Sequence, residues 1–110
     1  MNVTIKTIKD ITVIEAEGDI DSRTAGEFEK KTVEATQGED KIMIDLTQVE
    51  FLSSAGLRAL LMLYRQVKAR NGKIVLVGVS EEIQDVMENT GFISFFILAD
   101  LPEDGVKVLS

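Results

Sequence analysis

Two short apolar runs constrain this chain more than any other feature. Ile42-Met43-Ile44-Asp45-Leu46 and Ile74-Val75-Leu76-Val77 are each the length of a strand and nearly unbroken in hydrophobicity. A strand with one wet face alternates apolar and polar residues. A run without alternation is covered on both faces, as in a sheet with helices above and below. Between the runs, residues 54–71 are long enough for the longest helix, with Leu57, Leu60, Leu61, Tyr64 and Val67 on one face. Gly72 follows at the place of a left-handed C-terminal cap. Strand, helix and strand in this order make a right-handed parallel crossover.

The flanking sequence extends that unit. Val3–Ile8 and Ile11–Glu17 read as two strands joined tightly around Lys9-Asp10. Thr24 with Glu27 three residues on has the spacing of a capping box. It predicts a helix over Ala25–Thr36 that buries Ala25, Phe28 and Val33 or Thr32. A further helix follows Ser80, with Glu81 and Glu82 in its positive first turn. It should bury Ile83, Val86 and Met87 and stop at Gly91. Phe95–Leu98 reads as a last strand and Pro102–Leu109 as a terminal helix.

The order β-β-α-β-α-β-α-β, with that final helix, predicts one α/β domain over residues 1–110. Its sheet is mixed and mostly parallel, of four to five strands, with helices packed on it. The crevice of such a sheet lies at the carboxyl ends of its strands. That brings together the loops Gly18–Thr24, Leu46–Gly56 and Gly78–Glu82.

Composition removes many chemistries. The chain has neither cysteine nor histidine, which excludes disulfides, thiol nucleophiles, a Ser-His-Asp relay and the usual zinc ligands. We expect no catalytic residues, no metal and no cofactor. The net charge is −7 with scattered basic residues, which disfavours nucleic acid and favours a partner with a basic surface or pocket. No apolar run reaches a membrane-spanning length, and the N-terminus alternates, unlike a signal peptide. The expected location is cytoplasmic, with no membrane partner.

The segment Ile44 to Leu57 carries the functional signal. A strand gives way to a short connection, and the next helix opens on Ser53-Ser54-Ala55-Gly56. Either serine could simply cap the helix. A helix N-terminus also accepts a phosphate on a serine, through its unpaired amides and partial positive charge. Small Ala55 and Gly56 would leave room for another protein to approach. Ala59, Met62 and Leu63 extend the helix's apolar surface beyond its core face, as burial on several sides or partner contact requires.

Phe51-Leu52-Ser53-Ser54-Ala55-Gly56-Leu57-Arg58-Ala59-Leu60-Leu61 resembles the signature of bacterial anti-sigma factor antagonists, in the STAS domain family. Gly18-Asp19-Ile20-Asp21-Ser22-Arg23-Thr24-Ala25 resembles that family's segment before the first helix. Gly72-Lys73-Ile74-Val75-Leu76-Val77-Gly78 and Thr90-Gly91-Phe92 match further on, so the resemblance spans essentially the whole chain. It implies an antagonist that, unphosphorylated, binds an anti-sigma factor serine kinase and releases the sigma factor. The kinase inactivates it by phosphorylating a serine, and a metal-dependent serine phosphatase reverses this.

By motif position that serine is Ser54, with Ser53 as the lesser candidate. Many family members have aspartate where this chain has Ser53. Asp21 matches the acidic residue near the phosphorylated serine. The resemblance also implies a partner-binding surface from Asp21, Ser22 and Arg23 on the first loop. Ser53, Ser54, Ala55, Gly56, Arg58 and Met62 complete it. The alternative reading within the family is a sensor or scaffold module with weak nucleotide binding and no sigma-factor partner.

Two other readings compete on residue chemistry. A receiver-type domain would use Asp45 as an aspartyl phosphoacceptor, but it needs an acidic pair after the first strand to hold Mg²⁺. The first strand here ends at Lys9-Asp10, and the last carries no lysine. A nucleotide-hydrolysing enzyme would gather Asp19, Asp21 and Asp45 around a metal, but no phosphate loop of the Walker type is present.

Overall fold

The computed structural model describes residues 1–110. The elements are β1 (Asn2–Ile8), β2 (Ile11–Glu17), α1 (Ala25–Thr36), β3 (Lys41–Gln48) and α2 (Ser54–Ala69). They continue with β4 (Lys73–Val77), α3 (Glu81–Thr90), a 3₁₀ turn (Phe92–Phe95), β5 (Ile97–Ala99) and α4 (Pro102–Leu109). The five strands lie in sequence order, β1 antiparallel to β2 and every other pair parallel.

The two apolar runs are the central strands, and alternate residues explain their lack of alternation. Ile42, Ile44, Leu46, Ile74 and Leu76 face a core that contains Phe28 of α1, Leu57, Leu60 and Leu63 of α2, and Ile83 and Met87 of α3. Met43, Val75 and Val77 face the other way, with Ile11, Val13 and Leu109 of α4. Three helices cover one face of the sheet and α4 covers part of the other. Gly105 lets α4 approach closely: a Cβ there would lie 2.8 Å from Met43 Cε and 3.0 Å from Val77 Cγ2.

Four local expectations are corrected, and one open choice is decided. Thr24 and Glu27 form no capping box. The Thr24 hydroxyl is engaged by Asp21 N–H and donates to Asp19 C=O, while Glu27 pairs with Lys31 at 2.9 Å. Thr32 is buried and Val33 only half-buried. Helix α2 ends in a Schellman motif whose left-handed residue is Asn71, at φ 62°, with Gly72 N–H bonded to Val67 C=O. Gly72 is required by contact instead, since a Cβ would lie 2.8 Å from Asp40 O.

Val86 is exposed, because α3 turns only Ile83 and Met87 fully into the core. Phe95 belongs to the 3₁₀ turn and not to a strand. Its ring and that of Phe96 pack on Tyr64 at centroid distances of 5.6 and 5.4 Å, which leaves only Ile97–Ala99 to pair with β4.

Candidate functional site

The expected loops meet at the carboxyl ends of the strands. Ile20 and Leu52 form an isolated parallel bridge, in which Ile20 N–H donates to Phe51 C=O and Ser53 N–H donates to Ile20 C=O. Gly18 N–H also donates to Gln48 C=O. Gly78 lies hard against Thr47, so the third loop abuts the same end. The start of α2 is thereby fastened to the loop that precedes α1.

The two serines, indistinguishable by type, are separated by backbone. Ser53 is extended (φ −79°, ψ 175°), and its Oγ accepts from Gly56 N–H at 3.3 Å. It is the helix cap. Ser54 is the first helical residue, exposed, and its hydroxyl engages no protein group. No acidic residue stands in the first turn of α2. The free hydroxyl therefore sits where the helix presents amides and positive partial charge, with no acidic side chain in the first turn to complement them.

Asp21 organises the neighbouring loop. Its Oδ1 accepts from the backbone N–H groups of Arg23 (2.9 Å) and Thr24 (3.3 Å). The Arg23 amide above all, and then the Arg23 charge and the Thr24 amide and hydroxyl, hold its carboxyl below the ordinary carboxylate range. At neutral pH it is a fixed anion. Ser22 and Arg23 are exposed beside it, Arg23 strongly so, with its guanidinium 3.8 Å from Asp21 Oδ2.

Arg58 and Met62 are exposed along α2, and Ala55 is half-buried. Gly56 departs from expectation: it is buried, and its smallness serves the protein's own packing. A Cβ would lie 2.6 Å from Leu52 Cδ1 and 2.8 Å from Ile20 O. Ala59 and Leu63, read as surplus apolar surface, are also buried. What remains outward is Met62, 38% exposed, and a residue the sequence reading passed over, Phe51, 53% exposed in the connection before the cap. The available signal was an aromatic in the short connection directly before the Leu52-Ser53-Ser54 stretch, outside any predicted strand or helix.

No group of three or more carboxylates comes close enough to hold a metal ion. Asp45 instead faces Thr47, accepting from its backbone N–H at 2.9 Å. No helix is long and apolar enough to cross a membrane.

The family model of the STAS domain matches residues 2–104. BtrV of Bordetella bronchiseptica, itself only provisionally an anti-sigma factor antagonist, is 29% identical over 104 residues, covering 94% of this chain and 90% of that protein. The anti-sigma-B factor antagonist of Listeria monocytogenes is 33% identical over 76 residues, covering 67% of this chain and 66% of the Listeria protein. Among solved structures, the Bacillus cell-fate determinant SpoIIAA in its phosphorylated form superimposes with a TM-score of 0.75 at 20% identity. That superposition covers 99% of this chain and 100% of SpoIIAA.

Proposed function

The chain belongs to the STAS domain family, and on that premise we propose that residues 1–110 act as an anti-sigma factor antagonist switched off by phosphorylation of Ser54. The observation that carries this reading is the exposed, unengaged hydroxyl of Ser54 immediately after the Ser53 cap. Relatives named as antagonists, and a protein of the same fold known in a phosphorylated form, support it. In the unmodified state the antagonist binds an anti-sigma factor serine kinase in the cytoplasm, and the sigma factor is released.

The contact surface is Phe51, Ser54, Arg58 and Met62, with Ser22 and Arg23 of the adjoining loop. The kinase transfers the γ-phosphoryl group of ATP to Ser54 Oγ. The Oγ–P bond forms, the β–γ bridge breaks, ADP leaves, and the hydroxyl proton goes to a base of the kinase. This chain supplies only the nucleophile and is not itself an enzyme. A serine phosphatase hydrolyses the ester back to the hydroxyl and inorganic phosphate.

The switch needs no refolding. The helix start tolerates the new charge, whereas a partner surface that buried a dianion without cations would lose several kcal/mol. Incubation with an anti-sigma factor kinase from the same genome and ATP, followed by mass mapping, tests this. One phosphate on Ser54, absent in Ser54→Ala, is the expected result. Modification of Ser53 would overturn the assignment to Ser54. No modification by a kinase active on another antagonist would overturn the switch and leave a STAS scaffold or sensor module.

A further inference from the structure

We propose that Arg58 clamps the phosphate of modified Ser54 from one turn along the same helix. Phosphorylation then adds negative charge to the docking face and also withdraws a cation from it. The inference rests on Ser54 being the residue modified.

Residues four apart on a helix are neighbours, with Cβ atoms about 5–6 Å apart. Ser54 and Arg58 stand in that relation inside α2, and both are exposed. Placing the anion on the N-terminal side of the cation is the favourable orientation. A guanidinium fork also matches phosphate oxygens in bidentate fashion.

Arg58 is uncommitted. It takes part in none of the four ion pairs of the structure. The positions one turn to either side of it are Ser54, Ala55, Leu61 and Met62, so no carboxylate on α2 competes. The other cations near the site or on α2 are held or distant. Arg23 lies beside Asp21, and Arg70 donates to the carbonyls of Thr36, Glu39 and Gln66. Arg65 and Lys68 lie on the same side of α2 as Ser54 but about 16 and 21 Å along the axis at 1.5 Å per residue.

The clamp changes what a partner meets. Before modification, Arg58 is a solvated cation with exposed Met62 one turn along the helix, available to an acidic group on another protein. Afterwards its charge is satisfied in cis, and the partner faces a phosphate in its place.

The test uses the full chain with phosphoserine encoded at position 54, so that no kinase is needed, and follows the phosphate by phosphorus NMR as pH is varied. The phosphate loses its second proton near pH 6, and a cation in contact lowers that pKa. Arg58→Gln should raise it by about 0.3 units, the shift that corresponds to a helix ion pair at this spacing. Arg58→Lys should recover part of the difference, and Arg65→Gln, which also removes one positive charge, should titrate like the parent. Identical curves for the parent and Arg58→Gln would overturn the clamp, as would an upward shift produced by Arg23→Gln in place of Arg58→Gln. The functional reading fails separately: a phosphorylated chain that still bound its anti-sigma partner tightly would sink that reading and leave the clamp standing.

Discussion

Helices α2 and α3 open alike and then diverge. Each starts from a serine in extended conformation whose Oγ accepts from the amide three residues on, Ser53 from Gly56 at 3.3 Å and Ser80 from Ile83 at 3.2 Å. After the cap, α3 places Glu81 and Glu82 in its first turn, while α2 places Ser54 and Ala55 and no acid. One helix start is permanently complemented by negative charge. The other leaves that place to a neutral hydroxyl, which a kinase can convert to an anion.

The third position diverges as well. Ile83 fills the core, whereas Gly56 makes room for Ile20 and Leu52. Helix α3 begins where stability wants it to begin. Helix α2 begins where a loop must be gripped and a hydroxyl displayed.

That contrast can be broken most forcefully at Gly56. In Gly56→Ala the new methyl would meet Ile20 O, a backbone atom already fixed by the Ser53 amide. Urea unfolding should show a loss of about 1–3 kcal/mol. An unchanged midpoint would mean the start of α2 is no more tightly packed than that of α3.

The caps should prove equivalent: Ser53→Ala and Ser80→Ala should each cost about 1 kcal/mol, and Ser54→Ala close to nothing. A comparable loss in Ser54→Ala would reverse the division of labour between the two serines. Charge at the following position should act with opposite signs on the two helices. At low ionic strength Ser54→Asp should stabilise and Glu81→Ser destabilise, each by about 0.3–1 kcal/mol, and both effects should fade with salt.

The smallest effect concerns Asp21. Because its folded pKa lies below the ordinary value of 3.8, its carboxylate stabilises the fold above that value and stops doing so as pH falls through the lowered one. The stability gap between the parent and Asp21→Asn should be constant at neutral pH and close in the acid range. A gap that persisted in acid would show that the amide contacts, and not the charge, organise the loop.

Much of this was legible in the residues, and the misses have physical causes. Unbroken apolar runs announce strands covered on both faces, and Pro102 at a helix start fixes α4. The apolar spacing within α1 holds even though its capping box does not form, because Asp21 captures the hydroxyl and amide of Thr24. Asn71 and not Gly72 takes the left-handed position, while the nearby Asp40 backbone leaves room only for glycine at 72. Phe95 left the strand because an aromatic cluster around Tyr64 claimed it. The last two are contacts between segments far apart in sequence, Gly72 with Asp40 and Phe95 with Tyr64, which local spacing does not encode. The first is a local competition in which Asp21 takes Thr24 from Glu27.

The site divides in the same way. Motif position brought Ser53 and Ser54 into view, but only their backbone angles separate cap from free hydroxyl. The outward placement of Phe51 and the inward placement of Gly56 both depend on how Ile20 docks.

The most direct measurement is the affinity of the anti-sigma factor kinase for this chain with serine, and with encoded phosphoserine, at position 54. We predict binding weakened at least tenfold by the phosphate, equivalent to about 1.4 kcal/mol or more, with the circular dichroism spectrum unchanged. Equal affinity for the two forms would contradict the account.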